Sequence, residues 1–169
     1  MTIPLPIETD RLLIREFEPD DVDSVAEIYG DATVMEHVCV GVLDRDATAA
    51  LLEQYRHAQN RDGFSTWAVV EKESGVVVGD VGFGVFAPTG EPELGYTMAS
   101  GVWGRGYGFE AARACVDAAF AHLPHPRLVA KVEPENEHSL RVAQQLGMRT
   151  VDTIDVDERP HLLLALERP

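Results

Sequence analysis

Between Glu93 and Ala112 the chain reads as a strand, a turn with Gly104, Gly106 and Gly108 at every second position, and the start of a helix. Glycine lets the backbone take positive φ and leaves no Cβ to hold a ligand away from the amides. Successive N–H groups in such a turn converge on an anion, and the positive end of the following helix adds to them. These are the requirements of a phosphate or pyrophosphate cradle. The same glycines also suit a tight strand-to-helix connection that binds nothing. A Rossmann dinucleotide site fits poorly, because the spacing is not Gly-x-Gly-x-x-Gly and the turn lies mid-chain. A P-loop is excluded, since no Gly-Lys-Ser or Gly-Lys-Thr follows.

The rest of the chain has the length and composition of one packed unit. At 169 residues, 45% of them hydrophobic, it is expected to form a single domain spanning 1–169. No apolar run approaches the ~20 residues of a membrane span, and the first residues lack a signal-peptide pattern, so a cytoplasmic protein is expected. Two cysteines, Cys39 and Cys115, suit a reducing compartment. Cys115 falls on an apolar helix face; Cys39, in an apolar loop, has a catalytic role open to it. The histidines are scattered and no metal site is expected. The formal charge of −15 makes nucleic acid and anionic membranes poor partners and favours a cationic ligand, although acidity also serves plain solubility.

Periodicity predicts a mixed α/β order, β-α-α-β-β-β-α-β-α-β-β. A strand over Leu12–Phe17 is followed by a helix that Pro19-Asp20-Asp21 caps, then by a helix from Asp46 to about Gln59. Strands follow at Thr66–Glu71 and Val76–Phe86, and a central strand at Glu93–Ala99, with Glu91 read as loop surface. The helix after the glycine turn buries Phe109, Ala112, Val116 and Ala119. A strand at Arg127–Val132, a short helix over Asn136–Leu146 and a closing hairpin (Arg149–Val156, His161–Leu166) complete the chain.

In that order, five segments resemble a known family: Thr9-Asp10-Arg11-Leu12-Leu13-Ile14-Arg15, Glu93-Leu94-Gly95-Tyr96, Trp103-Gly104-Arg105-Gly106-Tyr107-Gly108-Phe109-Glu110-Ala111, Asn136-Glu137-His138-Ser139 and Leu146-Gly147-Met148. Together they cover nearly the whole chain and resemble the GNAT superfamily of acyl-CoA-dependent N-acyltransferases. Within it they look like the RimJ/RimL branch of ribosomal-protein alanine N-acetyltransferases. Two positions depart from the superfamily. Trp103 stands where the phosphate loop usually opens with Gln or Arg, as it often does in this branch. Ala143 stands where many relatives carry a tyrosine acid.

The resemblance implies transfer of an acetyl group from acetyl-CoA to a primary amine, with CoA as product. It implies that the loop from Trp103 through Gly104, Arg105, Gly106, Tyr107 and Gly108 to Phe109 holds the diphosphate. It also implies that the backbone from Tyr96 through Thr97 to Met98 pairs with the pantetheine arm, that Asn136 contacts this arm, and that Ser139 serves the departing sulfur. Arg105 adds a cation for a phosphate, with a solvated surface role as its alternative. Glu93 is the candidate base, directly or through water; a structural or ammonium-binding carboxylate is its alternative. Asn136 also has the spacing of a helix cap, with Ser139 one turn on.

The acceptor, a protein amino terminus or a small cationic amine, is expected between the first two helices, their loop and the closing hairpin. Glu36, His37, Tyr55, Trp67 and His161 are its candidate lining, although Trp67 fits the core better. A succinyl or longer donor, a non-enzymatic acyl-CoA sensor and a nucleotide enzyme are the competing readings. A monomer and a homodimer are both compatible with the sequence.

Overall fold

Trp-Ala-Val-Val in one strand and Val-Val-Gly-Asp-Val-Gly-Phe in the next alternate too little for sheets with one wet face. They are the middle of a sheet covered on both sides. The computed structural model describes residues 1–169. Its elements are β1 (Ile7–Glu8), β2 (Leu12–Arg15), α1 (Val22–Tyr29), α2 (Arg45–Asp62), β3 (Thr66–Glu71), β4 (Val77–Phe86), β5 (Glu91–Met98), α3 (Tyr107–His122), β6 (Arg127–Val132), α4 (Glu137–Gln145), β7 (Arg149–Val156) and β8 (Arg159–Glu167). The eight strands form one sheet ordered β1-β2-β3-β4-β5-β6-β8-β7. Helices α3 and α4 cover one face, where Trp67, Val69, Val81 and Phe83 are buried against Ala111, Ala112, Cys115 and Val116. Helices α1 and α2 cover the other, with Val25, Tyr29 and Leu52 over Ala68 and Val70. No helix is long and apolar enough to cross a membrane.

Most predicted elements appear within a few residues of their expected limits. A two-residue strand, β1, precedes the first one expected and pairs with β2. Residues Pro19–Asp21 form a 3₁₀ turn instead of capping α1 directly, because Asp21 turns inward to Arg15 (2.7 Å). Glu91 is not loop surface. It opens β5 and is gripped by the Arg127 guanidinium at 2.6 and 2.9 Å, joining β5 to β6 at their start.

That join does not last. All neighbouring strands are antiparallel except β5 and β6, which run parallel and are paired only at Glu93↔Val129. Beyond this bridge the two strands part. On its other edge β5 is fully paired with β4, from Gly79↔Met98 to Phe86↔Glu91. The Ala99 N–H donates to the Val78 carbonyl, which sets the phase of that ladder. Odd-numbered residues therefore bond to β4, and the N–H groups of Leu94, Tyr96 and Met98 face the gap toward β6.

Between β3 and β4 the register shifts at Val69/Val70, so that Val78 is an extra residue. The shift turns Val81 and Phe83 toward α3 and Asp80, Gly82 and Gly84 toward α1 and α2. Gly79 lies beside it, and a Cβ there would fall 2.2 Å from the Thr97 carbonyl oxygen. Gly79→Ala should therefore force the strands apart at a cost of about 1–3 kcal/mol. At roughly 2–4 °C per kcal/mol, thermal denaturation should show a clear fall in Tm. Gly84→Ala, whose Cβ meets nothing within 4 Å, should leave Tm nearly unchanged.

Candidate active site

The glycine turn has the geometry its sequence requires. Gly104 and Gly106 both sit at φ 80°, and Gly106 forms the left-handed N-cap of α3. A Cβ at Gly104 would meet nothing within 4 Å, so the concave side of the turn is open. No backbone carbonyl accepts from the N–H groups of Gly106, Tyr107, Gly108 and Phe109, whereas Glu110 already donates to Gly106. Four donors at the positive end of a sixteen-residue helix thus converge on one place, which suits a diphosphate.

The turn is held from below by the N-terminal motif. Glu110, in the first turn of α3, accepts from Thr9 Oγ1 (2.6 Å), the Arg11 N–H (3.1 Å) and Arg11 Nε (2.7 Å). Arg11 also donates to the Arg105 carbonyl (2.9 Å) and stacks over the Tyr107 ring, 4.6 Å from its centroid. Burial pushes the Glu110 carboxyl up, but the Thr9 and Arg11 hydrogen bonds outweigh it and hold the group below its ordinary range. Arg105, expected as a cation for phosphate, is tied to Glu71 at 3.1 Å, and the Tyr107 hydroxyl donates to the same oxygen at 2.6 Å. Trp103 donates its indole N–H to the Met98 carbonyl (2.8 Å), folding the turn back onto the end of β5.

From the turn a cavity of about 870 Å³ runs along the gap between β5 and β6 and is lined from both faces of the sheet. On the α3/α4 side, Asn136 caps α4 by accepting the Ser139 N–H at 3.2 Å. Ser139 Oγ lies 3.4 Å from the Tyr96 hydroxyl. Burial raises the Tyr96 phenol, which makes it a hydrogen-bond donor rather than a strong acid. Its ring rests against the bare Cα of Gly108, where a Cβ would come within 2.8 Å. That contact links the third glycine of the turn to the position of this hydroxyl.

On the α1/α2 side the cavity floor is backbone. Gly95 of β5 lies opposite Gly82 of β4, and Gly84 lies opposite Glu93. Asp80 stands at one end of this bare trough and Glu93 at the other. Glu93 is about one-fifth exposed and has Lys131 Nζ 3.2 Å away, so the expected base has an ammonium partner. Asp80 is buried and accepts from the Tyr29 hydroxyl at 2.7 Å. Desolvation pushes it up to about 7, against the Tyr29 hydroxyl and the Thr97 hydroxyl and N–H, which favour its charge. Sequence reading passed over Asp80, which looks like an interruption in an apolar strand.

Of the expected acceptor residues, Glu36, His37 and Tyr55 line the cavity. Trp67 does not; it is fully buried and donates to Gln59 Oε1 at 3.0 Å. His161 is also buried, beneath Glu133. Glu133, another residue not anticipated, joins two elements: it meets His37 Nδ1 of the α1–α2 loop at 2.9 Å and Arg159 of β8 at 2.8 Å. Cys115 is core, its thiol pushed up by burial, and Cys39 is exposed and outside these contacts although its loop borders the cavity.

The site is thus an eight-stranded sheet that parts between its two parallel strands, with an amide-lined turn at the mouth of the gap. The sequence model of the acetyltransferase (GNAT) domain matches residues 11–149. The chain belongs to the GNAT acetyltransferase family. The uncharacterized N-acetyltransferase YnaD of Bacillus subtilis is 30% identical over 143 residues, 85% of this chain and 82% of that protein. A GNAT-family acetyltransferase from Bacillus anthracis superposes with a TM-score of 0.85 at 26% identity, covering 97% of this chain and 99% of that one. RimL, a ribosomal L7/L12 α-N-protein acetyltransferase solved with CoA, shares the fold at a TM-score of 0.84 but only 12% identity, over 96% of this chain and 98% of its own.

The Glu110 clamp carries a pH signature. Its carboxyl is held low in the folded state, so it stabilises the protein above the unfolded-state value near ~4 and loses that contribution as pH falls through the folded one. Glu110→Gln should lower Tm at pH 7, and the deficit should shrink on acidification, as read by thermal denaturation across pH.

Proposed function

We propose that residues 1–169 act as one cytoplasmic acyltransferase domain that moves an acetyl group from acetyl-CoA to a primary amine. The observation that carries this reading is the continuity of the open amide turn with the parted β5–β6 edge in one cavity. A diphosphate fits the turn, and an extended amide-containing arm fits the unpaired edge of Tyr96 to Met98. Acetyl-CoA, when bound, supplies the activated acyl group. The chain's own residues do the rest.

The Gly106–Phe109 amides neutralise the diphosphate, and the N–H groups facing the gap align the arm. Asn136 fixes the start of α4, and so the place of Ser139. Ser139 and the Tyr96 hydroxyl beside it donate hydrogen bonds toward the departing sulfur, standing in for the tyrosine that Ala143 replaces. A phenol and an alcohol are weak acids, so their contribution is charge stabilisation more than full proton delivery. Glu93, paired with Lys131, fits recognition of the ammonium, the second of the two roles open to it. Arg105, held by Glu71, shapes the turn.

RimL is a protein amino-terminal acetyltransferase, and a protein amino terminus is the favoured acceptor for this chain by resemblance of fold and motif. The acidic surface favours a cationic one. Succinyl transfer is less favoured, because Lys131, the lining cation a succinyl carboxylate would need, is engaged by Glu93.

Isothermal titration should show acetyl-CoA binding in the micromolar range, weakened at least ~10-fold by Gly106→Asp, which sets a carboxylate in the cradle. Absence of binding to the folded wild-type protein would end this reading. A peptide array run beside a panel of small amines, followed by thiol release, identifies the acceptor. Tight binding with no thiol released to any amine would make the protein an acyl-CoA sensor. Ser139→Ala should lower kcat by about 10-fold with little effect on CoA affinity, as expected for loss of one hydrogen bond to developing charge.

A further inference from the structure

Three carboxylates stand out in the cavity wall, and they are not equivalent. Glu93 has Lys131, and Glu133 has Arg159 and His37. Asp80 is as buried as Glu133 and more so than Glu93, and it alone of the three has no lysine, arginine or histidine within ion-pair distance. A carboxylate sealed from water without a cation is costly. The fold nonetheless builds a site for one: the extra residue at Val78 turns Asp80 toward α1, where the Tyr29 hydroxyl meets it, and Thr97 is its cross-strand neighbour. Directly along the trough, Gly84 and Gly95 leave space that any side chain would fill.

Resting on the reading above, we infer that Asp80 is the proton acceptor for the acceptor amine, which enters the glycine-floored trough as an alkylammonium. One N–H bond of the ammonium breaks and an O–H bond forms on the Asp80 carboxyl. The nitrogen keeps the electron pair and bonds the acyl carbon as the carbon–sulfur bond breaks with its electrons on sulfur. The second proton that nitrogen sheds goes to that sulfur, so amide and thiol are the products. Asp80 then returns its proton to water. The missing cation explains why the site takes an ammonium, and a carboxyl raised to about 7 suits a base that works near neutral pH.

The groups facing Asp80 are Tyr29 from α1, Tyr55 from α2 and Thr97 from β5, and Thr66 of β3 is hydrogen-bonded to Tyr55. Burial pushes both tyrosine hydroxyls up, so neither titrates in the working range. The other titratable groups of the wall on this side are Glu36, His37 and Cys39 of the α1–α2 loop, Glu93 of β5, Lys131 of β6 and Glu133 just beyond it.

The test combines rates with stability. Asp80→Asn should lower kcat/KM by ~10² or more, leave acetyl-CoA affinity within about threefold, and remove the acidic limb of the pH–rate profile. Tyr29→Phe removes a donor that favours the carboxylate, so the limb should move to higher pH and activity lost at pH 7 should return at pH 9. His37→Gln should leave the limb in place.

Independently of any ligand, a carboxyl raised in the folded state stabilises the protein below its unfolded value near ~4 and loses that contribution as pH rises through about 7. Wild-type Tm should carry that decline and Asp80→Asn should flatten it. If Asp80→Asn keeps its limb and most of its rate while Glu93→Gln loses both, the base is Glu93 and the inference falls. If Asp80→Asn does not fold, an unmoved limb in Tyr29→Phe overturns it equally. A wild-type protein that acylates no amine fails the earlier reading, and an unchanged Tm profile in Asp80→Asn then removes the basis for Asp80 as well.

Discussion

The single bridge between Glu93 and Val129 is the constraint on which the site depends. Apart from the two-residue edge strand β1, every other neighbouring pair closes its ladder over several residues, and an open backbone edge inside a sheet would ordinarily be a defect. Here the parting is set from outside the gap. Arg127 and Glu91 pin the strands together at their start, and β6 is then drawn along β8 by a six-residue antiparallel ladder from Arg127↔Glu167 to Val132↔Leu162. On the other side β5 is committed to β4 along its whole length. With both strands held by their outer neighbours, β5 and β6 cannot close on each other. The donors that face the gap are left for whatever lies between them.

The helix that begins at the glycine turn is aligned with this gap by contacts far apart in sequence. Thr9 and Arg11, about a hundred residues upstream, hold Glu110 and with it the first turn of α3. Small residues along the buried face of α3, Ala111, Ala112, Cys115 and Ala119, let its axis come close to the sheet. Tyr96 then fits under Gly108 and carries its hydroxyl to Ser139. The glycine turn is thus both an amide cradle and a spacer that sets where a side chain on the neighbouring strand ends.

Much of this was legible in the sequence because it is local. The glycine turn, the Asn136–Ser139 cap and the strand periods each lie within a few residues, and the structure shows them as expected. The N-terminal motif could be recognised but not explained, since its partner lies across the fold. Asp80 was hidden for a physical reason. A one-residue bulge changes which face a side chain reaches, and nothing in Val-Val-Val-Gly-Asp-Val-Gly announces where the extra residue falls. Its hydroxyl partner is 51 residues away on a helix. Glu93 shows the converse: its position on β5 was readable, but the ammonium beside it comes from the next strand across a parallel pairing of one residue.

The cavity is lined from both faces of the sheet. Ser139, Tyr96 and the amide turn belong to the side covered by α3 and α4, and Asp80, Glu93 and the glycine floor to the side covered by α1 and α2. On the proposed reading, donor and amine approach the gap from opposite faces of the sheet and need not pass each other. On that reading the α1–α2 loop can diverge to fit acceptors of different bulk while the opposite side stays fixed, so evolution can alter one entrance without disturbing the other.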